Sequence, residues 1–180
     1  MRRRILADAT VLIALGQIGE LDLLTCFDGE ISVVPKVESE VTTEPANTNL
    51  ENFLDRYEFP RVARVTEKGT EAPDYTEAKQ ILGENEVNGD VQILTAILVD
   101  ENHDEFAVIS DDQRVRTVSR RLGATVTGTV GVIVRAVDER NMTVEEGKGL
   151  VRRVDSHGLH MTGELREKAY KLVEEAAENE

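Results

Sequence analysis

The sequence has little cysteine and few aromatic residues: it contains one cysteine, no tryptophan, and only 4% aromatic residues among 180. A single cysteine, Cys26, excludes an internal disulfide and fits a reducing compartment, so we expect a cytoplasmic protein. With 40% hydrophobic residues, the core must be built mainly from aliphatic side chains. No apolar run approaches the ~18 residues of a membrane-spanning helix. The run that follows Arg2–Arg4 is broken at Asp8, which argues against a signal peptide.

Basic residues are also scarce, because 21 lysines and arginines face 35 acids and leave a net charge of −14. This charge excludes a protein that coats nucleic acid through bulk electrostatic attraction. Two interpretations stay open, an ordinary acidic surface or a halophilic protein adapted to high intracellular salt. The 6 lysines against 15 arginines fit the second interpretation. Salt would then screen the charge, with a Debye length of about 3 Å at 1 M, and a polyanionic substrate would remain possible.

Short hydrophobic stretches alternate with stretches of helical periodicity along most of the chain. This alternation predicts an α/β domain with a mainly parallel sheet over residues 1–141. Residues 142–180 contain two further helical patterns and no strand, which predicts a C-terminal helical hairpin packed on that domain. We predict strands at 4–7, 31–35, 61–65, 105–110 and 124–128. We predict helices at 10–24 with an end near Gly19, from Pro35 onward, and at 50–57, 71–83, 90–100, 113–123 and 129–141, with a loop at 43–50.

Acidic residues occur where predicted strands end or core-facing helices begin. Because ligand sites in parallel sheets lie beyond the carboxyl ends of the strands, the topology can bring these acids to one edge. Clustered carboxylates repel and raise one another's pKa, and a hard divalent cation such as Mg²⁺ removes that conflict. Such a site predicts metal-assisted hydrolysis of a phosphodiester. The candidate acids, from four segments, are Asp8, Glu40, Glu86 or Asp90, and Asp111 or Asp112.

Each acid also has an ordinary structural explanation when it is taken alone. Asp8 is suited to cap the helix that follows it, and Glu40 is suited to a solvated surface. Glu86 or Asp90 fits the first turn of a helix, where negative charge is favourable. Asp111–Asp112 is a common strand-to-helix turn. These explanations do not account for the gathering of all four segments at one sheet edge.

Several of these segments together resemble PIN domains, including the toxin ribonucleases of prokaryotic toxin–antitoxin pairs. The segments are "ILADATVLIALGQIGELDLL", "VVPKVESEV", "GDVQILTAIL" and "VISDDQRVRTVSRRLG". The end of the match, "LGATVTGTVGVIVRA" followed by "LVRRVDSHGLHMTGEL", is similar to a subgroup with a helical C-terminal extension. The resemblance covers roughly residues 4–175.

The resemblance implies a three-layer sandwich with a central parallel sheet and a Mg²⁺- or Mn²⁺-dependent endoribonuclease site. It matches Asp8 to the family's acid after the first strand and Glu40 to the acid on the helix after the second. Asp90 matches the third acid, with Glu86 as an alternative. In the last segment the resemblance implies Asp112 as the ligand, with Asp111 as an alternative and Ser110 in support. The partners it implies are an RNA substrate, an antitoxin protein and a second copy of the chain in a homodimer.

Four arginines follow the last acidic pair on a predicted helix, where they are suited either to bind RNA phosphates or to balance an acidic surface. They are Arg114, Arg116, Arg120 and Arg121.

Three other functions fit the sequence less well. A zinc site at His157 and His160 lacks the further ligands that a structural site needs. A phosphohydrolase of the HAD type would need a second aspartate at position 10, where the chain has Thr10. A PIN fold with a weak or silent site, acting as an RNA- or protein-binding module, remains the main alternative to catalysis.

Overall fold

The computed structural model describes residues 3–57, 73–100 and 105–178. In these ranges four strands form one sheet, in the order β2-β1-β3-β4, and every neighbouring pair is parallel. The predicted α/β class, a parallel sheet flanked by helices, is therefore confirmed. The strands are β1 (Arg4–Ala7), β2 (Glu30–Ser32), β3 (Phe106–Ile109) and β4 (Thr125–Thr127).

Helices connect the strands and extend beyond the last of them. A 3₁₀ turn, Leu21–Cys26, follows the first helix, and a short π-helical turn, Asp155–Leu159, separates the last two. The helices are α1 (Ala9–Gln17), α2 (Pro35–Glu40), α3 (Ala46–Tyr57), α4 (Thr76–Leu82), α5 (Gly89–Leu98), α6 (Gln113–Arg121), α7 (Thr129–Glu139), α8 (Val144–Val154) and α9 (Gly163–Ala177).

The order of the strands explains how the helices divide between the two faces of the sheet. The chain moves from β1 to β2 in one direction and then returns past β1 to β3 and β4 in the other. Because parallel crossovers are right-handed, α1 lies on one face while α5 and α6 lie on the opposite face. Accordingly, α1 packs against α3, α7 and α8, and α5 packs against α4 and α6.

The central core is aliphatic, as the composition requires. Ile5 and Leu6 of β1 and Val108 and Ile109 of β3 are at most 2% exposed, so both faces of the central strands are covered. A smaller cluster between α4, α5 and α6 forms around Leu82, Val91 and Leu94. Burial of both sheet faces leaves the ends of the strands as the places where polar groups from neighbouring strands can meet.

One predicted loop proves to be helical, and one predicted helix end agrees with the structure. Residues 43–50 were expected to form a loop, but α3 begins at Ala46, whose burial together with Leu50 puts both on the core-facing side of the helix. The helix predicted from residue 10 was expected to end near Gly19; α1 ends at Gln17, and Gly19 takes a φ of +71° that favours glycine. The predicted strand 61–65 lies outside the described residues.

The last two helices pack on each other and on α7. Gly147 of α8 lies so close to Val173 and Val137 that a Cβ on it would approach their methyl carbons to 2.6 and 2.7 Å. Leu150 and Val154 belong to the central hydrophobic cluster. The division into 1–141 and 142–180 stays a prediction. Among the described helices, none has the length and apolar character that crossing a membrane requires.

Candidate active site

The carboxyl ends of β1 and β3 meet at the point where the strand order changes direction. Such a switch point opens a crevice between connections that leave on opposite faces, and ligands of parallel sheets bind there. Ala7 and Ile109 are the last paired residues of the two strands, so Asp8 and Ser110 stand side by side directly beyond them. The backbone N–H of Asp8 donates to the carbonyl of Ile109 at 2.9 Å.

The carboxylate of Asp8 is buried and held by two hydroxyl groups. The residue is 2% exposed, and its Oδ2 accepts hydrogen bonds from Ser110 Oγ at 2.6 Å and Thr10 Oγ1 at 2.8 Å. Asp8 stands at the N-cap position of α1, yet its side chain makes no capping hydrogen bond. Capping therefore does not explain this aspartate. Within the described residues its Oδ1 has no hydrogen-bond partner, which leaves that oxygen for another ligand.

The neighbouring acids Asp111 and Asp112 have different partners. Both carboxylate oxygens of Asp111 accept hydrogen bonds from Thr129 at the start of α7. One accepts from the backbone N–H at 2.9 Å and the other from the hydroxyl Oγ1 at 2.5 Å. Asp112 caps α6 through Oδ1 alone, which accepts from the N–H groups of Arg114 at 2.8 Å and Val115 at 2.9 Å. Its Oδ2 has no hydrogen-bond partner in the described part of the chain. Of these two aspartates, only Asp112 therefore keeps an oxygen without a hydrogen bond from a described residue.

Asp90 is the third aspartate of this group and lies at the start of α5. It is the second residue of α5, which Asn88 caps by accepting from the N–H of Val91 at 3.0 Å. Burial, followed by the negative charges of Asp8 and Asp112, raises the pKa of Asp90 to about 6, against the opposing effect of Arg114. The three aspartates are therefore close enough to repel one another, although they come from three separate segments.

The remaining candidate acids differ in their relation to this group. Glu40 is exposed at the end of α2, and its Oε1 accepts from the N–H of Gly89 at 2.8 Å, which places it beside the start of α5. Glu86 is exposed and makes no hydrogen bond or ion pair among the described residues, so the structure does not bring it to the aspartates. The helix begins at Gly89, and Glu86 and Asp90 are therefore not partners on one helical face.

The chemistry of these donors suits a hard divalent cation, although the side chains are not gathered in the geometry of a complete site. Across residues 3–57, 73–100 and 105–178, no group of three or more His, Cys, Asp or Glu side chains is arranged to hold a metal ion. The aspartates nevertheless offer oxygen ligands only, repel one another, and keep oxygens of Asp8 and Asp112 without protein partners. Carboxylate oxygens supplemented by water are the ligands that Mg²⁺ and Mn²⁺ accept.

The four arginines of α6 do not form one common surface. Arg114 contacts Asp90 and Glu84, Arg116 has a buried Nε without a hydrogen-bond partner among the described residues, and Arg120 and Arg121 are exposed in the last turn. Thr10, a partner of Asp8, was not among the predicted site residues. The sequence signal that could have found it is a hydroxyl side chain two residues after the acid.

Comparison with known proteins assigns the family. The family model DUF3368, described as a PIN domain, matches residues 4–175. The chain belongs to the PIN-domain family. No curated protein matches the chain, and no solved structure matches it.

Membership of the PIN family gives the crevice a coarse functional meaning. PIN domains are generally nucleases and typically use divalent metal ions. The match extends into α9, so the family model spans the sheet and both C-terminal helices of this PIN domain. Among the described residues, the acids at the switch point have chemistry that is compatible with such an activity.

Proposed function

We propose that this PIN-domain protein is a metal-dependent endoribonuclease in which Asp8, Asp90 and Asp112 hold Mg²⁺ or Mn²⁺ in the crevice. The observation that carries the proposal is the approach of these three aspartates, from separate segments, to the topological switch point, where burial and then the charges of Asp8 and Asp112 raise the pKa of Asp90 to about 6. Repulsion of this kind costs stability, and a bound divalent cation offsets it.

The surrounding residues give each proposed ligand a defined task. Ser110 and Thr10 fix one oxygen of Asp8 and leave Oδ1 directed to the ligand. The N-terminus of α6 fixes Oδ1 of Asp112 in the same way. The bound cation would position a water molecule and stabilise the negative charge that develops on the phosphodiester. Glu40, held beside the start of α5, is suited to orient that water through its second oxygen.

The structure also supports a choice between the alternatives that the sequence left open. Asp112 is preferred to Asp111, because both oxygens of Asp111 are engaged by Thr129. Asp90 is preferred to Glu86, because only Asp90 is electrostatically coupled to the other aspartates.

The proposal extends to the RNA substrate, the biological role and the setting of the protein. Arg120 and Arg121, exposed near the end of α6, are suited to contact RNA phosphates. The resemblance to toxin ribonucleases extends the proposal to a cytoplasmic toxin with an antitoxin partner and a homodimeric form. Growth arrest on expression of the wild type, but not of Asp8→Asn, would support the toxin role. A net charge of −14 supports a halophilic setting, in which activity would increase in molar KCl.

A cleavage assay tests the central proposal. Purified protein is incubated with Mn²⁺ and fluorescently labelled single-stranded or structured RNA, at low and at molar KCl. We expect cleavage that EDTA stops and that Asp8→Asn abolishes. Asp22→Asn serves as the control, because Asp22 pairs with Arg56 in an exposed salt bridge outside the acid group. Equal cleavage by the wild type and Asp8→Asn would refute the proposal.

A second function remains open, a PIN-fold module that binds RNA or protein with a weak or silent catalytic site. The observation that favours it is the absence, among the described residues, of side chains already arranged to hold a metal ion. This module would bind RNA equally well with and without Mn²⁺, and Asp8→Asn would leave that binding unchanged. A binding titration beside the cleavage assay separates the two functions.

A further inference from the structure

Arg114 joins three elements around the crevice through a single guanidinium group. It is the second residue of α6, and its Nη1 donates to the carbonyl of Leu82 at the end of α4 at 2.9 Å. Its Nη2 lies 2.7 Å from Oε1 of Glu84 and 3.2 Å from Oδ2 of Asp90. These contacts fix the position of the guanidinium group relative to the start of α5.

The charge of Arg114 is already balanced by Glu84. The contact with Glu84 is shorter than the contact with Asp90, and Glu84 is the main reason why the pKa of Arg114 is raised. The side chain of Glu84 is 27% exposed, so it is partly withdrawn from water rather than fully solvated. Because the pair is close to neutral, it repels an incoming cation far less than an isolated arginine would.

We propose that the Glu84–Arg114 pair is a positioning device that orients the carboxylate of Asp90 for the divalent cation. The inference rests on the metal site proposed above. Arg114 holds Oδ2 of Asp90, and Oδ1 remains available to the cation. Side chains that hold the outer oxygen of a metal ligand typically change metal affinity by about 10–100-fold when they are removed.

Two simpler roles for an arginine at this position predict a different effect on metal binding. If Arg114 were a cation that competes with the metal, its removal would tighten metal binding. If it were a phosphate-binding residue, its removal would weaken RNA binding and leave the affinity for metal unchanged. The positioning role alone predicts weaker metal binding in the absence of RNA.

Mn²⁺ binding to the purified full chain, measured by calorimetry and by electron paramagnetic resonance, tests the inference without any activity readout. We expect Arg114→Gln to weaken Mn²⁺ binding at least ~10-fold. Arg114→Lys should bind as weakly, because lysine lacks the fork that reaches Leu82, Glu84 and Asp90 together. The electron paramagnetic resonance spectrum of bound Mn²⁺ should change as well. If Arg114 had only a structural role, variants with the unfolding free energy of the wild type would keep the wild-type spectrum.

A double-mutant cycle tests whether Glu84 acts through Arg114. Glu84→Gln should weaken Mn²⁺ binding in the wild type but change it by less than about 2-fold in the Arg114→Gln background. The matched control is the exposed ion pair between Arg152 and Glu145, whose N···O distance is 2.6 Å. Arg152→Gln and Glu145→Gln remove the same charges and should leave Mn²⁺ binding unchanged.

The outcomes separate this inference from the proposed function. Mn²⁺ binding that depends on Asp8 but is unchanged or tighter in Arg114→Gln overturns the positioning role and leaves the metal site intact. Binding that weakens as expected, in a protein that does not cut RNA, supports the positioning role while the nuclease proposal fails. A wild type that binds no Mn²⁺ overturns both.

Discussion

The ionised carboxylate of Asp90 should destabilise the metal-free protein at neutral pH. Burial and the charges of Asp8 and Asp112 raise its pKa from an ordinary value of 3.8 to about 6. Because each pH unit corresponds to about 1.4 kcal/mol, ionised Asp90 lowers the free energy of unfolding by at most about 3 kcal/mol. Two effects reduce this value. The side chain is 20% exposed, so water screens its charge in part, and its place in the first turn of α5 stabilises the ionised form by about 0.5 kcal/mol. We therefore expect Asp90→Asn to stabilise the protein by about 1–2 kcal/mol at neutral pH.

The effect should depend on pH in one direction only. Below 3.8 the carboxyl group is protonated in both the folded and the unfolded chain, and its contribution to stability is fully present. As the pH rises to about 6 and beyond, the unfolded chain releases the proton more readily, and this contribution is lost. The stability advantage of Asp90→Asn should therefore grow from acidic to neutral pH and then level off.

Urea denaturation followed by far-ultraviolet circular dichroism, in EDTA and at a series of pH values, measures this difference. Asp55→Asn is the control, because Asp55 is exposed on α3 and its replacement tests whether any loss of negative charge stabilises so acidic a chain. If Asp90→Asn is no more stable than Asp55→Asn at neutral pH, or if its advantage does not change with pH, the raised pKa of Asp90 that follows from its burial and from the charges of Asp8 and Asp112 is refuted.

Two further changes test the packing around the same crevice by the same denaturation measurement. Ser110→Ala should lower the free energy of unfolding by about 1–3 kcal/mol, because it removes a buried hydroxyl that donates to Asp8; an unchanged value would mean that this hydrogen bond contributes nothing. Gly89→Ala should cost about 1–3 kcal/mol, because its Cβ would approach Cγ2 of the buried Val37 to 2.6 Å, whereas Gly163→Ala, in open space, should stabilise by about 0.4–1 kcal/mol. Equal effects of the two glycine changes would contradict the close approach.

Features encoded by local pattern were predictable from the sequence. The short strands end at Ala7 and Ile109, where hydrophobic residues give way to Asp8 and to Ser110. Gathering of acids at one edge follows from parallel topology, and the switch point between β1 and β3 provides it. The start of α3 was missed, because Ala46 and the polar residues after it carry too weak a periodicity to predict a helix without its tertiary contacts.

Features decided by distant contacts were not predictable. Asp111 and Asp112 both follow β3, and only the position of Thr129 at the next helix distinguishes them. The ion pair between Glu84 and Arg114 is a second example, because its partners lie 30 residues apart in the chain. A contact of this kind depends on how α4 and α6 pack and leaves no signal in the local sequence.

Helix N-termini balance part of the negative charge at this edge of the sheet. The N–H groups at the starts of α5, α6 and α7 donate to Glu40, Asp112 and Asp111 respectively. Each N-terminus carries a partial charge of about +0.5, so the backbone itself balances much of the negative charge.

Asp90 differs from these three acids, because no backbone N–H in the described part of the chain donates to it. Its only hydrogen-bond donor there is Arg114, at the long distance of 3.2 Å. Burial and the charges of Asp8 and Asp112 raise the pKa of Asp90 to about 6, and the hydrogen bond from Arg114 opposes them only in part. Among these acids, Asp90 would therefore contribute most to the binding free energy of a divalent cation. The affinity for that cation should depend on the residues that orient the carboxylate of Asp90.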